Sequence, residues 1–236
     1  MKIILSPPFS NLALTNLYPN TTRIIGTYTL NKRRGLWRVL TTLKKTNRGW
    51  VNNVGLRNGG ITTVPNKPFI VSIAELESGD WLQMLNHLST LDNILGVELN
   101  ISCPNAQVKG VGEDLLRSFN DTFNNVFVKV PHNYPERHLF SLIECGAKVI
   151  HISNTKKTEV GSLSGVELIQ KNLQTIKTVK KHYPHVKVVG GGGIYNLESA
   201  KQYIEAGADY ISLSTSLLRP FRTYFLIKGL HTFLAD

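Results

Sequence analysis

Eight short runs rich in β-branched residues recur along the chain, at 2–5, 23–28, 69–73, 97–101, 126–130, 148–152, 186–190 and 210–214. Their intervals are too long for hairpins, and most are separated by segments whose apolar residues return with helical spacing. Strands that alternate with helices pair in parallel through right-handed crossovers, and eight of them favour a closed (β/α)8 TIM barrel over an open sheet. Trp81, Leu82, Leu85, Leu88 and Leu91 predict one such helix, with Ser78 or Asp80 as its N-cap. A second covers 198–205 and stops at Ala206-Gly207, and Phe221, Tyr224, Phe225, Leu230, Phe233 and Leu234 predict the packed face of a closing helix. Only residues 6–22 join the first two runs, and two prolines and a YPNTT turn leave barely two helical turns there. The first βα unit is therefore expected to be trimmed. With no linker, repeat or low-complexity tract, residues 1–236 are read as a single domain.

The 27 basic and 16 acidic side chains leave a net charge of +11. That balance suits either a polyanionic partner or a basic solvated surface. The charges are scattered, with no basic stripe interleaved with aromatic residues, which favours the surface reading over nucleic acid. No run approaches the roughly 20 apolar residues of a membrane span, and the N-terminal apolar run ends at Leu5, too short for an export signal. Cys103 and Cys145 sit in unlike settings, which argues against a disulfide and for a reducing, cytoplasmic location. No metal site is expected.

In a barrel the active site forms at the C-terminal ends of the strands. The fourth run ends in Asn100-Ile101-Ser102-Cys103-Pro104-Asn105, the fifth contains Lys129, the sixth leads to Ser153-Asn154-Thr155, the seventh to four glycines, 190–193, and the eighth to Ser214-Thr215. Amides, hydroxyls, a thiol and an ammonium at one mouth suit a planar, polar heterocycle. The glycines read as an ordinary turn or as a phosphate cradle, and their place after the seventh run favours the cradle. Lys129, inside an apolar run, reads as one half of a structural ion pair or as a cation facing a bound cofactor. The asparagines read as turn formers or as ring-binding amides.

With these residues placed, the chain resembles the dihydroorotate dehydrogenase family of FMN-dependent barrels. Five segments carry the resemblance: Asn52-Asn53-Val54-Gly55-Leu56-Arg57-Asn58; ELNISCPN at 98–105; Val128-Lys129-Val130; Ser153-Asn154-Thr155 with GSLSG at 161–165; and VGGGGI at 189–194 with Ser214-Thr215. The resemblance implies FMN as cofactor, a dihydropyrimidine substrate such as dihydroorotate, a homodimer, and Cys103 as the base that takes a proton from substrate. It implies that Asn52, Asn100, Asn105, Asn154 and Thr155 line the substrate pocket, with Val54, Gly55 and Leu56 lending backbone groups. On the cofactor side it implies Asn100, Lys129, Ser164, Gly165, Gly192, Gly193, Ser214 and Thr215. Cysteine at 103 is similar to the cytosolic branches of the family, whereas Ser153-Asn154-Thr155 with GSLSGVEL looks more like the quinone branch.

Three departures qualify that pattern. Gly26 stands where the family has a lysine, Ser6-Pro7-Pro8 replaces an Ala-Ser-Gly, and the segment from Thr155 to Gly161 is short. The expectation is a pared-down member with altered or weak activity unless Lys32 or another basic residue supplies the missing charge. Two alternatives stay open: a tRNA dihydrouridine synthase-like flavoenzyme, similar at Asn100, Cys103-Pro104 and the basic loop that follows, and a catalytically impaired barrel that binds FMN or another phosphorylated ligand. Against the first stand Asn105 and the GSLSG segment.

Overall fold

The computed structural model describes residues 2–11, 17–35, 42–53, 55–102, 111–153, 155–159 and 161–235. Cys103, Asn105, Val54 and Asn154 lie outside the described residues, as does most of the segment 11–17 in which a short helix is expected.

The eight expected runs form eight parallel strands of a closed barrel. They are β1 (Lys2–Leu5), β2 (Thr21–Tyr28), β5 (Ile70–Ile73), β6 (Gly96–Asn100), β7 (Val126–Lys129), β8 (Val149–Ile152), β11 (Lys187–Gly191) and β12 (Tyr210–Leu213), with β12 returning to pair with β1. The outer helices are α1 (Asp80–Leu88), α2 (Glu113–Thr122), α3 (Glu136–Glu144), α4 (Ile169–His182), α5 (Leu197–Glu205) and α6 (Pro220–Ala235). Between β1 and β2 the described residues hold only a 3-10 turn, Phe9–Asn11, in keeping with a trimmed first unit.

Side chains alternate across a strand with period two, and the barrel separates the two sets. One set packs outward with the helices in a single large cluster that includes Ile3, Leu5, Val71, Leu99, Val128 and Ile150. The inward set begins with a small apolar layer of Ile4, Ile24, Ile70, Phe127 and Val189. Two residues further along the same strands, towards their C-terminal ends, the inward positions become Ser6, Gly26, Ser72, Lys129 and Gly191, with Glu98, His151 and Ser212 beside them. The barrel is thus apolar below and polar just beneath its mouth.

Two local expectations are corrected. Helix α1 is entered through Gly79 in a left-handed conformation, not through a Ser78 or Asp80 cap; the Asp80 carboxylate instead accepts from the N–H groups of Leu76 and Glu77, at 3.1 and 3.0 Å. On α6 the buried stripe is Thr223, Leu226, Ile227 and Leu230, while Phe221 and Phe225 are 83% and 68% exposed. The helix is apolar on more than one side. Its smaller aliphatic residues hold the i, i+3, i+4, i+7 spacing that meets the barrel.

Four further strands had no counterpart in the sequence reading: β3 (Lys44–Thr46), β4 (Gly49–Asn52), β9 (Lys156–Thr158) and β10 (Gly161–Ser164). They form an antiparallel sheet in the order β3-β4-β10-β9, built from the segments that follow β2 and β8. Asn52 pairs with Ser162, Val51 with Leu163 and Trp50 with Ser164, so Asn52 and Ser164 share one face and Val51 and Leu163 the other. A two-point ion pair from Arg48 to Glu167 ties the start of β4 to the chain beyond β10.

Candidate active site

The polar inner layer is one connected network. Glu98, on β6 and fully buried, lies between two donors: Ser72 Oγ of β5 at 2.7 Å from its Oε1, and His151 Nδ1 of β8 at 2.5 Å from its Oε2. Burial pushes the Glu98 carboxyl up, but attraction to His151 and Lys129 and hydrogen bonds from His151 and Ser72 outweigh it and lower its pKa to about 2. Burial pushes the His151 imidazole down by more than Glu98 pulls it up, and its Nδ1–H donates to the carboxylate. Its Nε2 is buried without a hydrogen-bond partner among the described residues. Lys129, also buried, contributes its charge to this pair yet forms no salt bridge among the described residues.

From Ser72 the network climbs to the mouth. Thr27 Oγ1 lies 2.9 Å from Ser72 Oγ, and Asn100 Nδ2 donates to Thr27 Oγ1 at 2.8 Å. Asn100 Oδ1 accepts from the backbone N–H of Ser102 at 3.1 Å and from Ser102 Oγ at 2.5 Å. On the other side of the layer Ser6 Oγ meets Ser212 Oγ at 2.7 Å, and Ser153 Oγ donates to Ser212 at 3.2 Å.

The expected phosphate cradle gathers at the ends of β11 and β12. Gly192 and Gly193 have φ of 91° and 75°, which side chains adopt at a cost, and a Cβ on Gly193 would stand 2.5 Å from the carbonyl of Gly165. The carbonyls of Gly191 and Gly192 are tied backwards by Asn172 of α4 at 2.8 Å and Tyr203 of α5 at 2.7 Å. The N–H groups of Gly192 and Gly193 have no partner among the described residues. Three hydroxyls converge beside the loop: Ser164 Oγ lies 3.0 Å and Tyr195 OH 3.1 Å from Thr215 Oγ1. Ser214 is turned away, its hydroxyl donating to the Pro7 carbonyl at 2.9 Å. Gly165 is pressed against the Arg48 carbonyl, which leaves no room for a side chain. The start of α5 is partly spent, since Asn196 and Ser199 satisfy each other in a capping box.

Of the expected substrate residues, Asn52 is buried at the end of β4, Leu56 is buried, Gly55 has φ of 65° with open space around it, and Thr155 joins β8 to β9. Gly26 has φ of 113°, and a Cβ there would lie 2.5 Å from the Ser72 carbonyl. Lys32 is exposed. Sequence reasoning passed over Ser72, Glu98 and His151, although each is a polar residue at an inward position of an apolar run. It also passed over Tyr195, Asn172 and Tyr203, whose roles depend on where helices pack.

A donor-lined glycine loop with converging hydroxyls fits a phosphate, and a buried ammonium without a salt bridge among the described residues fits a ligand that carries negative charge. No protein-family model matches the chain. The chain is 28% identical over 230 residues to the dihydroorotate dehydrogenase B (NAD(+)) catalytic subunit of Desulforamulus reducens, covering 82% of this chain and 75% of that protein. It is 26% identical over 228 residues to a putative dihydroorotate dehydrogenase A (fumarate) of Pediococcus pentosaceus, covering 80% and 75%. Among solved structures, DHODH from Eimeria tenella in complex with ferulenol superposes with a TM-score of 0.71 at 16% identity, over 95% of this chain and 79% of that one. The chain is thus similar over most of its length to dihydroorotate dehydrogenases and shares their barrel fold.

Proposed function

We propose that the protein is an FMN-dependent oxidoreductase that oxidises dihydroorotate to orotate, the reaction named for its relatives, as a step of pyrimidine biosynthesis in the cytoplasm. The observation that carries the reading is the pairing, in one barrel mouth, of a glycine-and-hydroxyl cradle with the buried Lys129. FMN suits both: its phosphate would be held by Gly192, Gly193, Ser164 and Thr215, and its ring would lie where Lys129 offsets negative charge. Among the described residues no helix is long and apolar enough to cross a membrane.

When bound, FMN supplies the hydride acceptor. The chain's own residues do the rest. Asn52, Asn100, Asn105 and Asn154 hold the substrate ring by its polar edge, with backbone groups of Val54, Gly55 and Leu56 at its carboxylate and Thr155 beside it. Cys103 removes the proton from the carbon next to the one that gives up hydride. A thiol with an ordinary pKa of about 8.5 is a few per cent ionised at neutral pH, so turnover rises with pH. Gly165 and Ser214 support the cradle through packing and the Pro7 contact. A second reading, a barrel that binds FMN without turnover, draws on one observation: position 26 has no room for the lysine of the family pattern.

Titrating the purified protein with FMN, followed by product analysis after dihydroorotate is added, tests the proposal. Stoichiometric uptake and formation of orotate are expected. No uptake of FMN overturns both readings, and uptake without orotate leaves the second.

A further inference from the structure

The chain from Glu98 to Asn100 has a direction, and that direction can be read from chemistry alone. An ionised carboxylate only accepts, so Ser72 Oγ must spend its hydrogen on Glu98. Thr27 then has to donate to Ser72, because the Ser72 proton is already committed. The Thr27 oxygen is left to accept, which is what the Asn100 Nδ2 contact at 2.8 Å requires. At the other end a backbone N–H can only donate, so the Asn100 atom facing Ser102 N must be Oδ1. Two independent fixed points, a buried carboxylate and a backbone amide, thus set the same orientation of the Asn100 side chain. Its oxygen already accepts twice from Ser102. One of its two N–H bonds is used on Thr27. Among the described residues, the hydrogen-bonding capacity that remains is a single N–H.

We infer that Glu98, acting through Ser72 and Thr27, is a specificity-determining positioning residue: it holds Asn100 as a donor, so the ligand atom that Asn100 meets is an acceptor, a ring carbonyl or an unprotonated ring nitrogen. The inference rests on the proposed ring-binding site for its ligand, but not for the orientation itself. A protonated ring nitrogen or an amino group at that place would face an N–H with no acceptor to offer it, a mismatch that a buried site penalises heavily. His151 belongs to the same device, since its Nδ1–H occupies the second carboxylate oxygen and leaves Oε1 to Ser72.

The test has two arms, both on Ser72→Ala, which removes one hydroxyl from the middle of the chain, with Thr27→Val as a second break should the first fail to fold. In the first arm, nuclear magnetic resonance of the ligand-free, 15N-asparagine-labelled protein reads the Asn100 side-chain amide. The break is expected to shift its resonances and speed exchange of its protons. Unmoved resonances in a folded variant overturn the inference. In the second arm orotate binding is measured by calorimetry on FMN-loaded protein. A loss of about tenfold, the size expected for one buried hydrogen bond, is predicted. Binding within twofold of the parent overturns the inference. A parent that binds no orotate refutes the proposed function instead, and the first arm still decides the orientation.

Discussion

Replacing Gly26 with lysine restores the residue type of the family pattern, and the geometry says that it will damage the protein. At φ of 113° a Cβ would stand 2.5 Å from the Ser72 carbonyl and 2.9 Å from both the Tyr28 N and its Cδ2. The Ser72 carbonyl belongs to β5, paired beside β2 at this register, so it can yield only if the barrel wall moves. The unfavourable backbone region costs about 1–3 kcal/mol and the overpacking about 1–3 kcal/mol more. Together they remove about 2–6 kcal/mol from a stability that is typically about 5–15 kcal/mol. Gly26→Ala introduces the same Cβ without the charge and should lose most of the same amount, which separates sterics from electrostatics. Urea unfolding followed by circular dichroism measures both variants, with a lowered midpoint at unchanged slope as the expected result. A Gly26→Lys protein as stable as its parent, or one that binds FMN or orotate more tightly, would refute the reasoning.

Three further outcomes are expected. Glu98 has its carboxyl lowered from an ordinary 4.5 to about 2, so the stability it contributes is present above pH 4.5 and is lost as the pH falls towards 2. Melting temperatures between pH 7 and pH 2 should show this loss, and Glu98→Gln should flatten that part of the profile. Gly193→Ala, whose Cβ would meet the Gly165 carbonyl, should weaken FMN binding at least tenfold by flavin fluorescence titration, and unchanged affinity would remove the loop from the cradle. Cys103→Ala should retain FMN at parental stoichiometry while losing reduction by dihydroorotate, and the parent's rate should climb from pH 6 towards about 8.5; a flat profile would argue for a different base.

The barrel was legible because its signal is local. Each inner strand keeps β-branched residues within four to eight positions, and the helices between them keep their spacing. The antiparallel sheet was not, since its central pairing joins Asn52 to Ser162 across the sequence and its strands are three or four residues long. Nothing periodic marks them. Lys129 stood out as a charge in an apolar run, whereas Ser72, Glu98 and His151 did not. Both faces of a barrel strand are buried, so an apolar run conceals which parity looks inward until closure fixes it. The closing helix misled for a related reason: Phe221 and Phe225 are its largest apolar residues, yet Leu226 and Ile227 meet the barrel. Gly26 was recognised as a departure from the family pattern, but that its backbone forbids a side chain depends on φ and on the neighbouring β5 carbonyl.

The central claim is that this divergent barrel still passes electrons from dihydroorotate to bound FMN. Its most direct test is the flavin absorbance of the FMN-loaded protein, followed anaerobically after one equivalent of dihydroorotate is added. The account predicts bleaching of the oxidised flavin band with release of orotate in equal amount. A protein that holds FMN and stays fully oxidised under excess dihydroorotate, at pH 8.5 as well as at pH 7, would contradict it.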